Sequence, residues 1–289
     1  MDMMKHYFSF VDYKACEYSF MTLYMWQEIN NSHVMEKDDT MYIFGQDKKS
    51  MFSLVPISKT KRWVRDIQHL ENIFNKYFNE KIEIRAAPKE YAEFMMKEYP
   101  GRFKLIEHRD AYDYLYDAES LRTLSGRKYH AKKNHYNKFI KEYADRFVYK
   151  NLTAPEEFED AYDLMKRWAK SKDVIDETMN IEYKAVKKVL DNYSMHDGLK
   201  AAGIYIDGVM QAFTLADMLT DDTVCVHIEK ANPNFNGIYA AINKIFLVNE
   251  YPDVKYANRE DDLGLDYLRK AKLSYNPLEL IEKYTLVEL

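Results

Sequence analysis

Long apolar runs, glycine and proline are scarce in this sequence of 289 residues, and each shortage excludes a class of protein. The most apolar stretch, residues 18–26, is about half as long as the roughly 20 residues that a membrane-spanning helix needs. The N-terminus lacks the basic start and long apolar middle of a signal peptide, so we expect a cytoplasmic chain. With 8 glycines and 7 prolines, the sequence is neither collagen-like nor of low complexity.

Cysteine is also scarce, with two copies at Cys16 and Cys225. Two cysteines cannot build a disulfide framework, and they lack the paired spacing of a zinc site. We expect both to be reduced and buried. His130 and His135 stand about 140° apart on a helix, so they do not form a metal-binding pair. The sequence therefore predicts no metal site.

Sequence motifs for phosphate binding and for serine catalysis are missing as well. The chain has no G-x-G, which excludes a P-loop and a dinucleotide-binding loop, and it has no serine nucleophile elbow. The segment His227-x-Glu229 has the beginning of a zinc deaminase motif, but the paired cysteines that should follow it are absent.

The composition is that of a globular protein, with 47% hydrophobic and 31% charged residues. The net charge of −5 is unevenly distributed. Residues 122–150 contain nine Lys or Arg against two acids, which gives +7 there and leaves −12 for the rest. A local basic segment in an acidic protein can contact phosphates while the remainder limits unspecific binding to nucleic acid.

Hydrophobic periodicity predicts a mixed α+β fold with helices on the faces of mostly antiparallel sheets. In the first half we expect strands at 34–37, 41–45, 51–56, 81–86, 102–107 and 111–116, with helices at 62–79 and 88–99. In the second half we expect helices at 126–144, 155–170, 177–193, 237–250 and 264–272, and strands at 200–206, 209–218, 223–230, 254–258 and 281–287. The Asp207-Gly208 pair is a strong hairpin signal. This order of elements is that of the N-acyltransferase fold.

The helix predicted at 126–144 is basic. Its aromatic residues cluster on one side, and His130, Asn134, Asn137 and Lys141 share the other. We take Arg127, Lys128, Lys132 and Lys133 as candidate contacts to the phosphates of a donor. The alternative is that the polar side of this helix only faces solvent, while its aromatic side packs on the core.

The segment 226–243 is the main candidate for chemistry. On a strand, His227 and Glu229 project to one face just before the chain opens into a helix. Either side chain could take a proton from an attacking group, while Asn232 and the helix start at Asn236, Gly237 and Ile238 bind the donor. The alternative is structural: Glu229 pairs with Lys230 or Arg259, and His227 is a satisfied, half-buried histidine.

A second polar group lies at residues 256–275. Arg259 and Glu260 fall at a strand end, where ligands dock in such sheets, and we predict catalytic roles for both, Arg259 by steadying negative charge. Asp261 and Asp262 have the position of a solvated helix N-terminus. Lys270 is a candidate contact to a donor phosphate or carboxylate.

Four blocks of sequence, 124–139, 227–231, 237–243 and 258–275, together resemble a bacterial family of unknown function related to the C-terminal domain of phosphatidylglycerol lysyltransferase. The resemblance implies two tandem N-acyltransferase-like halves, akin to the Fem peptidyltransferases, which we place at 1–120 and 121–289. It also implies transfer of an aminoacyl group from an aminoacyl-tRNA to an amine or hydroxyl acceptor.

The sequence departs from this family at two points. It has no multi-helix membrane module, so we expect a small-molecule or peptide acceptor rather than a lipid. The loop 232–237 offers one glycine where users of coenzyme A have a glycine-rich pyrophosphate loop. The first hypothesis is therefore an aminoacyl-tRNA-dependent transferase. An acyl-coenzyme A N-acyltransferase and a non-catalytic module that binds RNA or protein are the alternatives.

Overall fold

A computed structural model describes residues 2–170 and 177–289, which form two compact units. Unit 1 runs to Asp113 and also takes Asp261–Asp266 and Leu280–Leu289. Unit 2 takes Tyr114–Glu260 and Tyr267–Glu279. The chain therefore returns twice to unit 1 after leaving it. The division into halves at residue 120 stays a prediction.

Unit 1 is built on a six-stranded sheet. Its helices are α1 (Asp2–Phe8), α2 (Phe20–Met25), α3 (Gln27–Asn30), α4 (Trp63–Ile73) and α5 (Lys89–Glu98). Its strands are β1 (His33–Lys37), β2 (Thr40–Gln46), β3 (Met51–Ser53), β4 (Glu83–Ala87), β5 (Phe103–Glu107) and the C-terminal β13 (Tyr284–Glu288). The strand order is β1-β2-β3-β4-β13-β5, with β3 and β4 parallel and the other neighbours antiparallel.

Unit 2 is built on a seven-stranded sheet. Its helices are α6 (Ala118–Thr123), α7 (His130–Tyr143), α8 (Pro155–Lys170), α9 (Glu177–Asp191), α10 (Ile238–Glu250) and α11, which begins at the boundary residue Asp266 (Asp266–Leu273). Its sheet is formed by β6 (Asp113–Asp117), β7 (Phe147–Asn151), β8 (Lys200–Ile206), β9 (Val209–Thr220), β10 (Thr223–Ala231), β11 (Tyr256–Asn258) and β12 (Glu279–Ile281), of which Asp113 in β6 and the last two residues of β12 are counted with unit 1. The strand order is β12-β6-β11-β10-β9-β8-β7. Strands β10 and β11 are parallel, whereas β9 runs antiparallel to both β8 and β10.

Local sequence explains how the centre of unit 2 forms. Asp207 and Gly208 both have positive φ, 51° and 80°, which is the conformation of a primed two-residue hairpin turn between β8 and β9. Helix α10 is mostly apolar, and its Ile238 and Ile242 are buried in a core cluster with Phe139 of α7. Burial of these side chains fixes α7 and α10 against each other on the sheet.

The predicted fold class is confirmed: the sheets are mostly antiparallel and are flanked by helices. The helix predicted at 62–79 instead changes at Ile73 into a π-helical turn, Phe74–Phe78, and the residue that follows, Asn79, is left-handed. The strand predicted at 254–258 begins at Tyr256, where pairing with Thr223 starts. The short helices α1, α2, α3 and α6 were not predicted, because they are shorter than a clear helical period needs.

Within the described ranges 2–170 and 177–289, no helix has both the length and the apolar character to cross a membrane.

Candidate functional site

Strand β10 carries His227 and Glu229, the two side chains expected to form the site. Its pairing with β9 slips by one residue between Val226 and Ile228. His227 is therefore the extra residue of a β-bulge, a feature that re-aims side chains. As a result, His227 and Glu229 belong to two different clusters within unit 2.

Glu229 lies in the first of these, which we call the Arg259 cluster and which comprises Lys132, Glu229, Asn243, Arg259 and Tyr275. The Glu229 carboxylate accepts a hydrogen bond from Arg259 Nη2 at 2.9 Å and another from Asn243 Nδ2 at 3.0 Å. The ion pair is nearly enclosed, since the Glu229 and Arg259 side chains are 10% and 11% exposed. Burial lowers the pKa of Arg259, but Glu229, Tyr116 and Tyr275 together outweigh burial and hold the pKa above its usual value. Glu229 thus pairs with Arg259, which is the structural alternative that we gave for this residue.

Tyr275 is the platform of the Arg259 cluster. The Arg259 guanidinium lies 4.7 Å from the centre of the Tyr275 ring, and Lys132 Nζ lies 3.9 Å from it. Burial of Lys132, together with the positive charge of Arg259, lowers the pKa of the Lys132 ammonium to about 8. Glu229 acts against this shift without cancelling it. A lysine in this state exchanges its proton close to neutral pH.

The Arg259 cluster carries an excess of positive charge. Lys132 and Arg259 face one carboxylate, Glu229, which leaves a formal charge of +1. Arg259 Nη1 is buried, and within the part of the chain that the structure describes it has no partner of good hydrogen-bond geometry, although the guanidinium interacts with Tyr275. Buried donors without a partner are uncommon in proteins, and a ligand that completes the site is one explanation for such a donor. The arrangement is suited to holding an oxygen that carries, or develops, negative charge.

His227 lies in the second cluster, which we call the His227 cluster and which comprises Asp217, Cys225, His227 and Glu260. His227 Nε2 lies 2.7 Å from Asp217 Oδ1, and Nδ1 lies 2.9 Å from Glu260 Oε1. Burial lowers the pKa of His227, but neighbouring Cys225 and Asp217 outweigh burial and hold it well above its usual value. The imidazole is thus fixed on both sides.

The burial of His227 corrects part of the sequence-based prediction. We expected His227 and Glu229 to project to one face, with either side chain able to take a proton from an attacking group. The His227 side chain is instead 0% exposed, and both of its nitrogens face carboxylates, so it is not placed to take a proton from a bound ligand. Glu260, expected to be catalytic, is one of the groups that enclose it.

The start of helix α10 also differs from the expected donor site. Gly237 is left-handed, with φ of 79°, and a Cβ there would collide with the backbone carbonyl of His135 in α7. Ile238 is buried and its N–H already donates to Phe235 at 3.2 Å. Asn232 pairs with Gln211 through its side chain at 3.0 Å. The packing of α7 fills the space that we assigned to the donor at Gly237, and Ile238 is buried, whereas Asn236 stays exposed.

The other predicted donor contacts lie on the surface of unit 2. The exposed residues among them are Arg127, Lys128, Lys133, Asn236 and Lys270. On α7, Lys138 and Lys141 are exposed as well. Lys132 differs from these cations, because it turns from the basic helix into the Arg259 cluster.

Sequence reasoning missed Asn243 and Tyr275 as site residues. Both lie inside segments that we singled out, 237–243 and 258–275, but neither has a charged side chain that would draw attention. The available signal was spacing: Asn243 falls on the second turn of a helix that follows the Glu229 strand directly. Tyr275 had no such signal, since it meets Lys132 only through the fold.

The sequence matches the model of one protein family over nearly its full length. Residues 8–287 match the family described as phosphatidylglycerol lysyltransferase, C-terminal. An uncharacterized protein of Mycoplasmoides gallisepticum is 24% identical over 179 residues, which is 62% of this chain and 57% of that protein. This chain therefore matches little more than half the length of that relative.

Solved structures resemble the fold over the whole chain. A conserved protein of unknown function from Bacteroides thetaiotaomicron is 28% identical, with a TM-score of 0.94, covering 100% of this chain and 96% of that one. The structure of L-PGS from Bacillus licheniformis is 11% identical, with a TM-score of 0.68, covering 99% and 91%. The fold is that of two tandem N-acyltransferase-like halves. The chain belongs to the family of phosphatidylglycerol lysyltransferase C-terminal domains.

Proposed function

We propose that the protein transfers an aminoacyl group from an aminoacyl-tRNA to an amine or hydroxyl acceptor, and that the acyl group reacts at the Arg259 cluster. The observation that carries this proposal is the buried Arg259 Nη1 beside Lys132, a donor for which residues 2–170 and 177–289 offer no partner of good hydrogen-bond geometry. An unsatisfied buried donor costs about 1–3 kcal/mol. Because Nη1 is covered in the structure, a ligand oxygen accepts from it, and removes that cost, once the side chains around it move aside. Membership of the acyltransferase-like family supports the same assignment.

The chemistry follows from the charges of the cluster. When the acceptor attacks the ester carbonyl carbon of the donor, negative charge develops on the carbonyl oxygen, and Arg259 donates to it. Lys132, with its pKa near 8, takes the proton of the attacking amine or hydroxyl when neutral. The bond between the carbonyl carbon and the ribose oxygen then breaks, and that oxygen receives the proton. Glu229 holds Arg259 in place and does not act as the base, which revises its predicted role.

The exposed face of α7 is where the tRNA is proposed to bind. Its surface cations, Lys133, Lys138 and Lys141, can pair with phosphates. Lys132, on the same helix, reaches the Arg259 cluster. The exposed side of α7 would therefore bind the phosphates of the tRNA, and Lys132 on the same helix would contact its aminoacyl end.

The test of transfer uses a pool of labelled aminoacyl-tRNAs as donor and hydroxylamine as a generic small nucleophile. The enzyme-dependent rate of hydroxamate formation, above the rate without protein, is measured as a function of pH. We expect this rate to rise as Lys132 loses its proton near pH 8. Lys132→Met and Arg259→Lys should each lower the rate at least 10²-fold. Lys184→Met, which alters an exposed lysine of α9, is the matched control and should leave it unchanged.

Binding to the donor is tested separately with uncharged tRNA at several salt concentrations. Affinity should fall steeply with salt, and replacing Lys133 or Lys138 with alanine should lower the salt slope by about one each. If the protein binds tRNA but transfers no acyl group, the proposal is wrong and the non-catalytic RNA-binding module takes its place. Transfer from acetyl-coenzyme A, with none from aminoacyl-tRNA, would replace the proposal with the acyl-coenzyme A alternative.

A further inference from the structure

Among the described residues, two groups bring together side chains of the kinds that bind metals. Their members are Cys16, Glu17 and Asp113 in unit 1, and Cys225, His227 and Glu260 in unit 2. In the first group a protein cation already fills the centre: Lys283 Nζ lies 2.8 Å from Asp113 and 2.7 Å from Glu17. In the second group the ring between the carboxylates of Asp217 and Glu260 belongs to a ligand residue itself, His227.

The donor atoms of the second group lie within about half an ångström of the spacing that a tetrahedral ion requires. The distance between Cys225 Sγ and His227 Nδ1 is 3.7 Å, that between Nδ1 and Glu260 Oε1 is 2.9 Å, and that between Sγ and Oε1 is 4.0 Å. Zinc bonds of about 2.3 Å to sulfur and about 2.0–2.1 Å to nitrogen or oxygen give tetrahedral edges of about 3.3–3.6 Å. Shifts of a few tenths of an ångström in each side chain would bring all three donors onto one ion.

The outer nitrogen of His227 has the partner that a metal-bound histidine usually has. Nε2 lies 2.7 Å from the Asp217 carboxylate. When Nε2 carries the proton and donates it to this carboxylate, the lone pair of Nδ1 points toward Cys225 and Glu260. Pairing of this kind sets the tautomer and the ring orientation in metal sites.

The backbone is distorted at two of the three residues. His227 is the extra residue of a bulge, and Glu260 is left-handed with φ of 54°, a conformation that costs a non-glycine residue free energy. Such distortions persist where they aim side chains at a functional target. The Glu260 side chain is 19% exposed, which gives an ion a route from solvent.

We propose that Cys225, His227 and Glu260 form a binding site for Zn²⁺, with Asp217 orienting the imidazole. Binding forms one bond each to Sγ, Nδ1 and a Glu260 oxygen, and a water takes the fourth position. The thiol proton and the proton on Nδ1 leave to solvent. The site is separate from the Arg259 cluster and does not depend on the transferase proposal.

The test titrates the full chain with Co²⁺, after reduction and removal of metals with a chelator. Wild-type protein should bind one Co²⁺ and show the ultraviolet band of a Co²⁺–thiolate bond together with the visible bands of a tetrahedral ion, and Zn²⁺ should abolish both. Cys16→Ser, which alters the other buried cysteine, should retain these bands, and Cys225→Ser should lose the thiolate band. A wild-type protein without the band, or a Cys225→Ser protein that keeps it, would overturn the proposal.

A second variant covers the case in which Cys225→Ser does not fold. Asp217→Asn keeps all three ligands and the shape of the residue that orients His227. Its Zn²⁺ affinity, measured by competition with a chromophoric chelator, should fall about 10- to 100-fold. Unchanged affinity in a folded Asp217→Asn protein would contradict the site as drawn.

Discussion

Lys132 is an ammonium group held where burial opposes its charge, so replacing it with methionine should stabilise the folded protein. The environment lowers the pKa of Lys132 from 10.5 to about 8. A lysine whose pKa is lowered by folding costs stability. That cost is full below the folded pKa and disappears above the pKa of the unfolded chain. Methionine keeps most of the length of the side chain and removes the cost.

The magnitude follows from the two pKa values. At 1.36 kcal/mol per pKa unit, the cost is about 3 kcal/mol at pH 7 and about 1.4 kcal/mol at pH 9.5. Because the side chain is partly exposed, solvent screening reduces these values, by roughly half. The variant also loses the cation–π contact with Tyr275, and this loss reduces the stabilisation expected from the substitution by about 0.5–1 kcal/mol. We therefore expect Lys132→Met to stabilise the protein by about 0.5–1 kcal/mol at pH 7, and to leave its stability about unchanged at pH 9.5.

The assay is urea unfolding of the wild type and the variant at both pH values. Lys133→Met is the matched control, because this neighbouring lysine is exposed and its replacement should change the free energy of unfolding by less than about 0.5 kcal/mol at either pH. If Lys132→Met destabilises the protein at pH 7, or if its effect does not change with pH, the Lys132 ammonium is not desolvated. The reasoning about the Arg259 cluster would then fail.

Two further predictions concern stability. Glu229→Gln should destabilise the protein by about 3–5 kcal/mol, since it leaves the buried Arg259 charge unpaired, whereas Glu229→Met combined with Arg259→Met should recover most of the loss in urea unfolding. A double variant as unstable as Glu229→Gln would contradict this. Gly237→Ala should lower the melting temperature more than Gly126→Ala, because both positions have positive φ but only a Cβ at Gly237 meets the backbone of His135. Equal decreases in melting temperature would mean that α7 shifts to make room for the new Cβ without a loss of stability.

Much of the fold was predictable, because it depends on local pattern. Strands β8, β9 and β10 were predicted within a residue or two, since their apolar runs are separated by Asp207-Gly208 and by Asp221-Asp222. The order of elements also indicated the fold class. Which strands pair with one another in a sheet was not predictable in the same way. The last strand, Tyr284–Glu288, lies between β4 and β5, and no signal in its five residues names partners about 180–200 positions away.

The candidate site, like the fold, was predictable from the sequence only in part. By itself, the sequence determined which segments carry polar chemistry, because His227 and Glu229 interrupt an apolar strand, where a charge is costly without a partner, and Arg259 directly follows another strand. Only the tertiary structure decided which of these groups meet. One bulge separates His227 from Glu229, Arg259 takes the carboxylate, and Glu260 completes a trio with Cys225 that spacing along the chain had excluded. Side-chain direction in a strand changes with every residue of register, so these contacts are set by how the strands pair.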